Sequence, residues 1–226
     1  MSFVAEAGLL KGVLRQTMLT SPARRENSAE HSWHLAVMAL ALGDYARAGT
    51  DLGRVTAMLL VHDLVEVDAG DLFAYASAAD QARQEAAERA AADRIFGLLP
   101  ADQAVSARAL WDEFEERRTA EARFARALDR LQPMLANVQA GGGTWREHGI
   151  TAGQVLAKVA LIEDGSPELG RYARDLVEQA VRDGILSGSV AGQPAQPDGR
   201  GHQGSQDQDD HQRRPVPAEE LGHPAG

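Results

Sequence analysis

The sequence predicts an all-α protein, and three observations predict it. Apolar residues recur at i, i+3, i+4 and i+7 through most of the chain, as along Phe124, Leu128, Leu131 and Leu135. Hydrophobic residues make up 44% of the 226 positions but aromatics only 5%, and Ala and Leu dominate, which suits close-packed helices better than a β sandwich. Breakers at Thr20-Ser21-Pro22, Ala69-Gly70-Asp71, Pro100 and Gly141-Gly142-Gly143 cut the pattern into helix-sized pieces.

The length allows one sizeable core. A net charge of −10 argues against a surface for duplex nucleic acid or anionic membrane, while leaving room for a small phosphorylated substrate at a local positive site. With no cysteine, any metal must sit on histidine and carboxylate. No apolar run reaches membrane-spanning length and residues 1–12 lack the features of a signal peptide, so the expected location is cytoplasmic.

The elements follow in order. Residues 2–18 read as a first helix with Leu9, Leu10, Val13 and Leu14 on one face; Arg15, Arg24 and Arg25 bracket its end and read first as surface charge. Ser28 is the expected N-cap of a second helix running to about Ala48, with His31 in its first turn and His34 one turn on, the latter read as a partly exposed histidine. Asp51 is the expected N-cap of a third helix through Val65. It carries Val61-His62-Asp63-Leu64-Val65-Glu66, a histidine and two carboxylates set in an apolar run. Charged groups seldom enter a core unpaired, so this is either a metal site or a core histidine satisfied by a carboxylate. Glu66 lies one turn beyond Asp63. Asp71 sits past the helix end, where the dipole gives an acid no support; a turn residue bonding its own backbone is the alternative.

A peripheral helix is expected at 78–98, another from Pro100 with Trp111 and Phe114 inward, and a long one from Thr119 or Ala120 to Ala136. In the last, Asp129 falls on a face of small residues, either pointed into a gap between helices or exposed and paired with Arg126 or Arg130. Two helices at about 151–162 and 167–183 close the domain, expected to span 1–186. Residues 187–226 are rich in Gly, Gln, Pro and Asp and read as a disordered, low-complexity tail whose histidines take no role.

The ordered set His31, His62-Asp63 and Asp129 resembles the HD-domain metal-dependent phosphohydrolases. Glu26-Asn27-x-x-Glu30-His31-Ser32, His62-Asp63-x-x-Glu66, Gly70-Asp71 and Ala127-Leu128-Asp129 together look like the 5′-deoxynucleotidase-type branch. The resemblance implies an HD-domain helical bundle in which His31, His62, Asp63 and Asp129 bind one divalent cation (Co, Mn, Mg or Zn), and commonly a homodimer. It implies that Glu66 acts in catalysis, that Asp71 contacts a sugar, and that an arginine of the first region binds phosphate. Arg15 is the nearest match and Arg24 the alternative. Gln16 follows Arg15 where the branch typically has tryptophan, a departure that bears on substrate. No histidine lies between Asp63 and Asp129, unlike the two-metal HD proteins. The function implied is a phosphomonoesterase on (deoxy)nucleoside 5′-monophosphates. The alternatives are an HD hydrolase or lyase on a non-nucleotide substrate, or a metal-stabilised module that binds nucleotide without turnover.

Overall fold

The computed structural model describes residues 1–19 and 24–188. The chain opens with α1 (Ser2–Ala7) and a 3-10 turn, Gly8–Gly12, then forms a two-stranded antiparallel ribbon of β1 (Leu14–Met18) and β2 (Arg25–Asn27). Helices follow: α2 (Ser28–Ala41), α3 (Leu52–Val61), α4 (Glu66–Ala69), α5 (Ala78–Phe96), α6 (Ala101–Glu116), α7 (Ala120–Gln139), α8 (Gly143–Glu147), α9 (Ala152–Gly165) and α10 (Pro167–Arg182). The all-α expectation holds, with the small ribbon as the one β element among the described residues.

Most helix starts follow from local chemistry. Asp51, Ser77, Thr119 and Ser166 each accept a hydrogen bond from a backbone N–H of the first turn they cap. Thr151 with Gln154 forms a full capping box on α9. Gly70, at φ 73°, ends α4 in a backbone region open to glycine.

α7 is the central helix and packs along α9, α3 and α2. Its Phe124, Leu128 and Leu131 are buried with Met58, Leu59, Val155, Val159 and Ile162 in the main apolar core. A smaller cluster of Leu10, Leu64, Val65, Ile95, Phe96 and Trp111 lies under α5 and α6. The His62-Asp63 pair sits between these two bodies. Gly165 lets α7 and α9 approach closely, since a Cβ there would collide with the Arg123 carbonyl and Ala127.

Four local expectations are corrected. Residues 2–18 are not one helix, because Gly8 and Gly12 raise the cost of continuing it and Arg15 reaches its carboxylate partners only from an extended chain. The N-cap of α2 is Asn27, not Ser28: its side chain accepts from Glu30 N while Glu30 answers at Asn27 N. That helix ends at Ala41 and not near Ala48, where Gly43 packs against Leu52 and turns the chain toward α3. The third helix also tightens at His62, its residues His62–Val65 forming a 3-10 turn before α4. Thr20-Ser21-Pro22 and nearly all of the tail, from residue 189 on, lie outside the described residues.

Candidate metal centre and its cavity

His31, His62, Asp63 and Asp129 converge in the interior. His31 comes from the first turn of α2, His62 and Asp63 from the 3-10 turn, and Asp129 from mid-α7; all four are buried. One nitrogen or oxygen each of His31, His62 and Asp63 lies within 4.8 Å of the others. Asp129 Oδ1 is 3.1 Å from His31 Nε2 and 3.9 Å from His62 Nε2. The reading of Asp129 as an exposed aspartate is therefore corrected. It does pair with Arg126 (3.3 Å) and Arg130 (3.5 Å), but inside the protein, through Oδ2.

The outer nitrogen of each imidazole fixes what the inner one offers. His62 Nδ1 is 2.9 Å from the Leu59 carbonyl, which can only accept, so Nδ1 carries a proton. His31 Nδ1 is 3.1 Å from Gln132 Oε1, while Gln132 Nε2 donates to Glu26 Oε1 at 2.9 Å. Burial and the Arg15 charge lower the His31 pKa to about 4, so the ring is neutral. Its Nε2 lone pair then faces a carboxylate oxygen at 3.1 Å. His62 Nε2 lies 3.0 Å from Asp63 Oδ1 yet makes no hydrogen bond. Two ring nitrogens and two carboxylates thus crowd into one buried space, an arrangement that favours a shared positive charge, a proton or a metal ion.

The electrostatics agree. Burial opposes the charged form of His62, but Asp63 and Asp129 outweigh it and raise its pKa, so positive charge is favoured there. Burial likewise opposes the carboxylates, but His62 and Arg15 hold Asp63 below the usual range, and Arg130, His31 and Arg126 do the same for Asp129. Both remain anionic. With the His62 proton displaced, two neutral imidazoles and two carboxylates would suit a borderline divalent ion and leave coordination positions for water and a substrate oxygen.

Around this centre lies a cavity of about 310 Å³, at the lower end of the roughly 300–1,000 Å³ of small-molecule sites. Arg15, Glu66 and Asp71 line it together with Asp63 and Asp129. Glu66 is buried, and burial and Asp63 push its pKa well above the usual carboxylate value. The Asp71 pKa is raised by burial, against the pull of Arg15. Its Oδ2 accepts from Gln16 N at 3.2 Å, which overturns the self-bonding turn alternative. Arg15 reaches Asp63 at 2.9 Å and Glu26 and Asp71 at 3.7 Å. Arg24 is on the surface, paired with Glu30, and does not line the cavity. The Gln16 side chain accepts from Arg25 at 2.6 Å. His34 stands behind the centre, its Nδ1 3.3 Å from Gln132 Nε2.

Several residues at the site were not singled out from sequence. Glu26 and Gln132 form the tier behind His31, and burial raises the Glu26 pKa to about 7. Gln132 stands one helical turn past Asp129, a spacing that could have flagged it. Arg126, Arg130, Lys158, Phe73, Tyr75 and Trp145 complete the walls.

Comparisons with known proteins fall into line with this geometry. An HD-domain family model matches residues 7–170. The human protein named 5′-deoxynucleotidase HDDC2 is 32% identical over 136 residues, 60% of this chain, and its Xenopus laevis counterpart is 32% identical over 138 residues. The matched regions span 65% and 66% of those relatives' lengths. A crystal structure from Magnetospirillum magnetotacticum MS-1, titled a predicted metal-dependent phosphohydrolase, is 56% identical with a TM-score of 0.79, covering 83% of this chain and 93% of that one. A conserved hypothetical protein from Pyrococcus furiosus, 20% identical with a TM-score of 0.57, shares the fold over 80% of this chain and 98% of its own.

Proposed function

The chain belongs to the HD-domain family, and on that premise we propose that it is a metal-dependent phosphomonoesterase acting on deoxynucleoside 5′-monophosphates. The observation that carries the reading is the crowding of His31 Nε2, His62 Nε2, Asp63 and Asp129 with a protonatable Glu66 on the same cavity wall. His31, His62, Asp63 and Asp129 are the residues that would hold one divalent ion. When bound, such an ion lowers the pKa of water and offsets phosphate charge.

The chain's own groups do the rest. Burial and Asp63 raise the pKa of Glu66, which suits it to deliver a proton to the departing sugar oxygen. Ser28 fixes one of its oxygens by a 2.5 Å hydrogen bond, which leaves the other free for substrate. Asp71 is assigned to the sugar and Arg15 to the phosphate, both from the wall beside Asp63. Phe73, Tyr75 and Trp145 offer the aromatic surface that a nucleobase needs. On α2, Trp33, Val37 and Leu40 stand exposed one or two turns apart, which accords with a homodimer.

The reading is tested by phosphate release from a panel of nucleoside and non-nucleoside monophosphates with Co²⁺, Mn²⁺, Mg²⁺ and Zn²⁺ in turn. Metal-dependent release favouring deoxynucleotides is expected. Release from non-nucleotide phosphates alone would replace the substrate class, and binding without release would leave only a nucleotide-binding module.

A further inference from the structure

Arg15 is poorly supplied to receive a phosphate alone. Its guanidinium already offsets Asp63, Glu26 and Asp71, with Glu66 also acting on it, so the contrast with the rest of the lining is one of charge balance; its buried Nε, like those of Arg126 and Arg130, lacks a hydrogen-bond partner among the described residues. A phosphomonoester near pH 7 carries close to two negative charges. Approaching along that wall, it would meet four carboxyl groups for one arginine.

Another part of the lining has the reverse balance. Among the described residues Arg126 and Arg130, on α7, form ion pairs with the one carboxylate of Asp129, Glu88 and Glu115 lying farther off in the same lining, and the Nε of each is buried with no hydrogen-bond partner there. Arg130 makes no hydrogen bond to any described residue, although its side chain is only 21% exposed. Lys158 faces the same cavity from α9, with its ammonium 5.7 Å from the Tyr75 ring and no carboxylate partner among the described residues. Burial and the charges of Arg130, Arg126 and Arg117 lower its pKa. Three cations held together at the cost of mutual repulsion, with unused donors, form a site for an anion.

The geometry points to Arg126, Arg130 and Lys158 as an anion-binding wall that grips the phosphoryl oxygens beside Asp129, apart from the carboxylates that Arg15 offsets. This inference rests on the phosphohydrolase reading for the identity of the anion. The placement makes chemical sense: both arginines touch Asp129 Oδ2 while Asp129 Oδ1 faces the histidines, so an anion held by them abuts the centre. Planar guanidinium groups can each donate twice to phosphate oxygens, with Lys158 acting as a point charge farther along the wall.

The test is calorimetric titration of inorganic phosphate into the full chain supplied with Mn²⁺, without turnover. Wild type is expected to bind. Arg130→Gln should weaken phosphate binding by about tenfold, one lost charge-assisted contact, with Mn²⁺ content unchanged. Arg130→Lys should recover part of the affinity. Lys158→Gln, at a half-buried position on α9, should also weaken binding and decides the matter if the arginine variant misfolds. Phosphate affinity equal to wild type in Arg130→Gln and Lys158→Gln, or no phosphate binding by wild type, overturns the inference. If phosphate binds as described but no nucleotide is hydrolysed, the wall stands and the proposed function falls. If nucleotides are hydrolysed but the variants bind phosphate normally, the wall alone falls.

Discussion

Ser28 Oγ donates a 2.5 Å hydrogen bond to Glu66 Oε2, joining the first residue of α2 to the first of α4 in the interior. Neither residue is among the proposed ligands, yet the bond orients the carboxyl group that stands one turn from Asp63. Catalysis and metal binding should therefore separate at Glu66. Glu66→Ala is expected to retain the ion while turnover falls by about 10²–10⁴-fold, the usual worth of a general acid. Asp63→Asn is expected to lose ion and turnover together. Metal content and phosphate release on the two purified variants decide it; a metal-free Glu66→Ala would make Glu66 a ligand, and a fully active one would remove it from the chemistry.

The proposed ligands arrive on α2, the 3-10 turn and α7, so an ion would tie three parts of the chain together. Binding to the folded state alone stabilises by mass action. Chelation is expected to lower the Tm of wild type, and His62→Ala to abolish that dependence. Equal melting of both proteins with and without chelator would dissolve the four-residue site.

Which parts were legible from sequence has a physical pattern. Helix starts with an Asp, Ser or Thr cap were placed well, because a cap acts within three residues of itself. Of the four proposed ligands, His62 and Asp63 are conspicuous as charge in an apolar run, whereas Asp129, 98 positions from His31, joins the set only through the ordered motif of the family resemblance. The Arg15 segment was misread as helix because its extended form is held by carboxylates far along the chain, at Asp63 and Asp71. The alternative for Asp129, exposed and paired with Arg126 or Arg130, has the partners right and the exposure wrong, since pairing is local and burial is not. Gln132, which links Glu26 to His31, is not legible, because a neutral amide on a helix looks ordinary in sequence, and Glu26 stands in the motif without a role attached.

Gly165 marks the closest approach of α9 to α7. Gly165→Ala would press a methyl group on the Arg123 carbonyl, where backbone must move. A loss of about 1–3 kcal/mol is expected, as for overpacked cores, measured by denaturant unfolding. Gly153, with open space before its Cβ except for Thr151 Oγ1 at 4.0 Å, is the internal control: Gly153→Ala in the same helix should be neutral or stabilising. A neutral Gly165→Ala would mean that the two helices separate easily.

Arg15→Met keeps much of the side chain's length while removing the charge shared by Asp63, Glu26 and Asp71. Leaving buried carboxylates uncompensated should cost about 3–5 kcal/mol in the metal-free protein. The loss should shrink when metal is supplied, because an ion would offset Asp63. A variant as stable as wild type without metal would show that Arg15 is dispensable to the fold.

Glu88 gives a pH dependence away from the proposed ligands. Burial raises its pKa from 4.5 to about 7, with Glu115 and Asp63 adding to the shift and Gln84 and Arg126 opposing it. The folded state then holds this proton over a range where the unfolded chain has released it. Its contribution to stability is complete below about pH 4.5 and is lost as pH rises through about 7. Glu88→Gln keeps a neutral side chain at every pH. The stability of the variant relative to wild type should therefore grow from pH 4.5 toward pH 7 and then level off, measured by urea unfolding at fixed ionic strength. A difference that stays constant across that interval would mean that Glu88 ionises as freely in the fold as in the open chain.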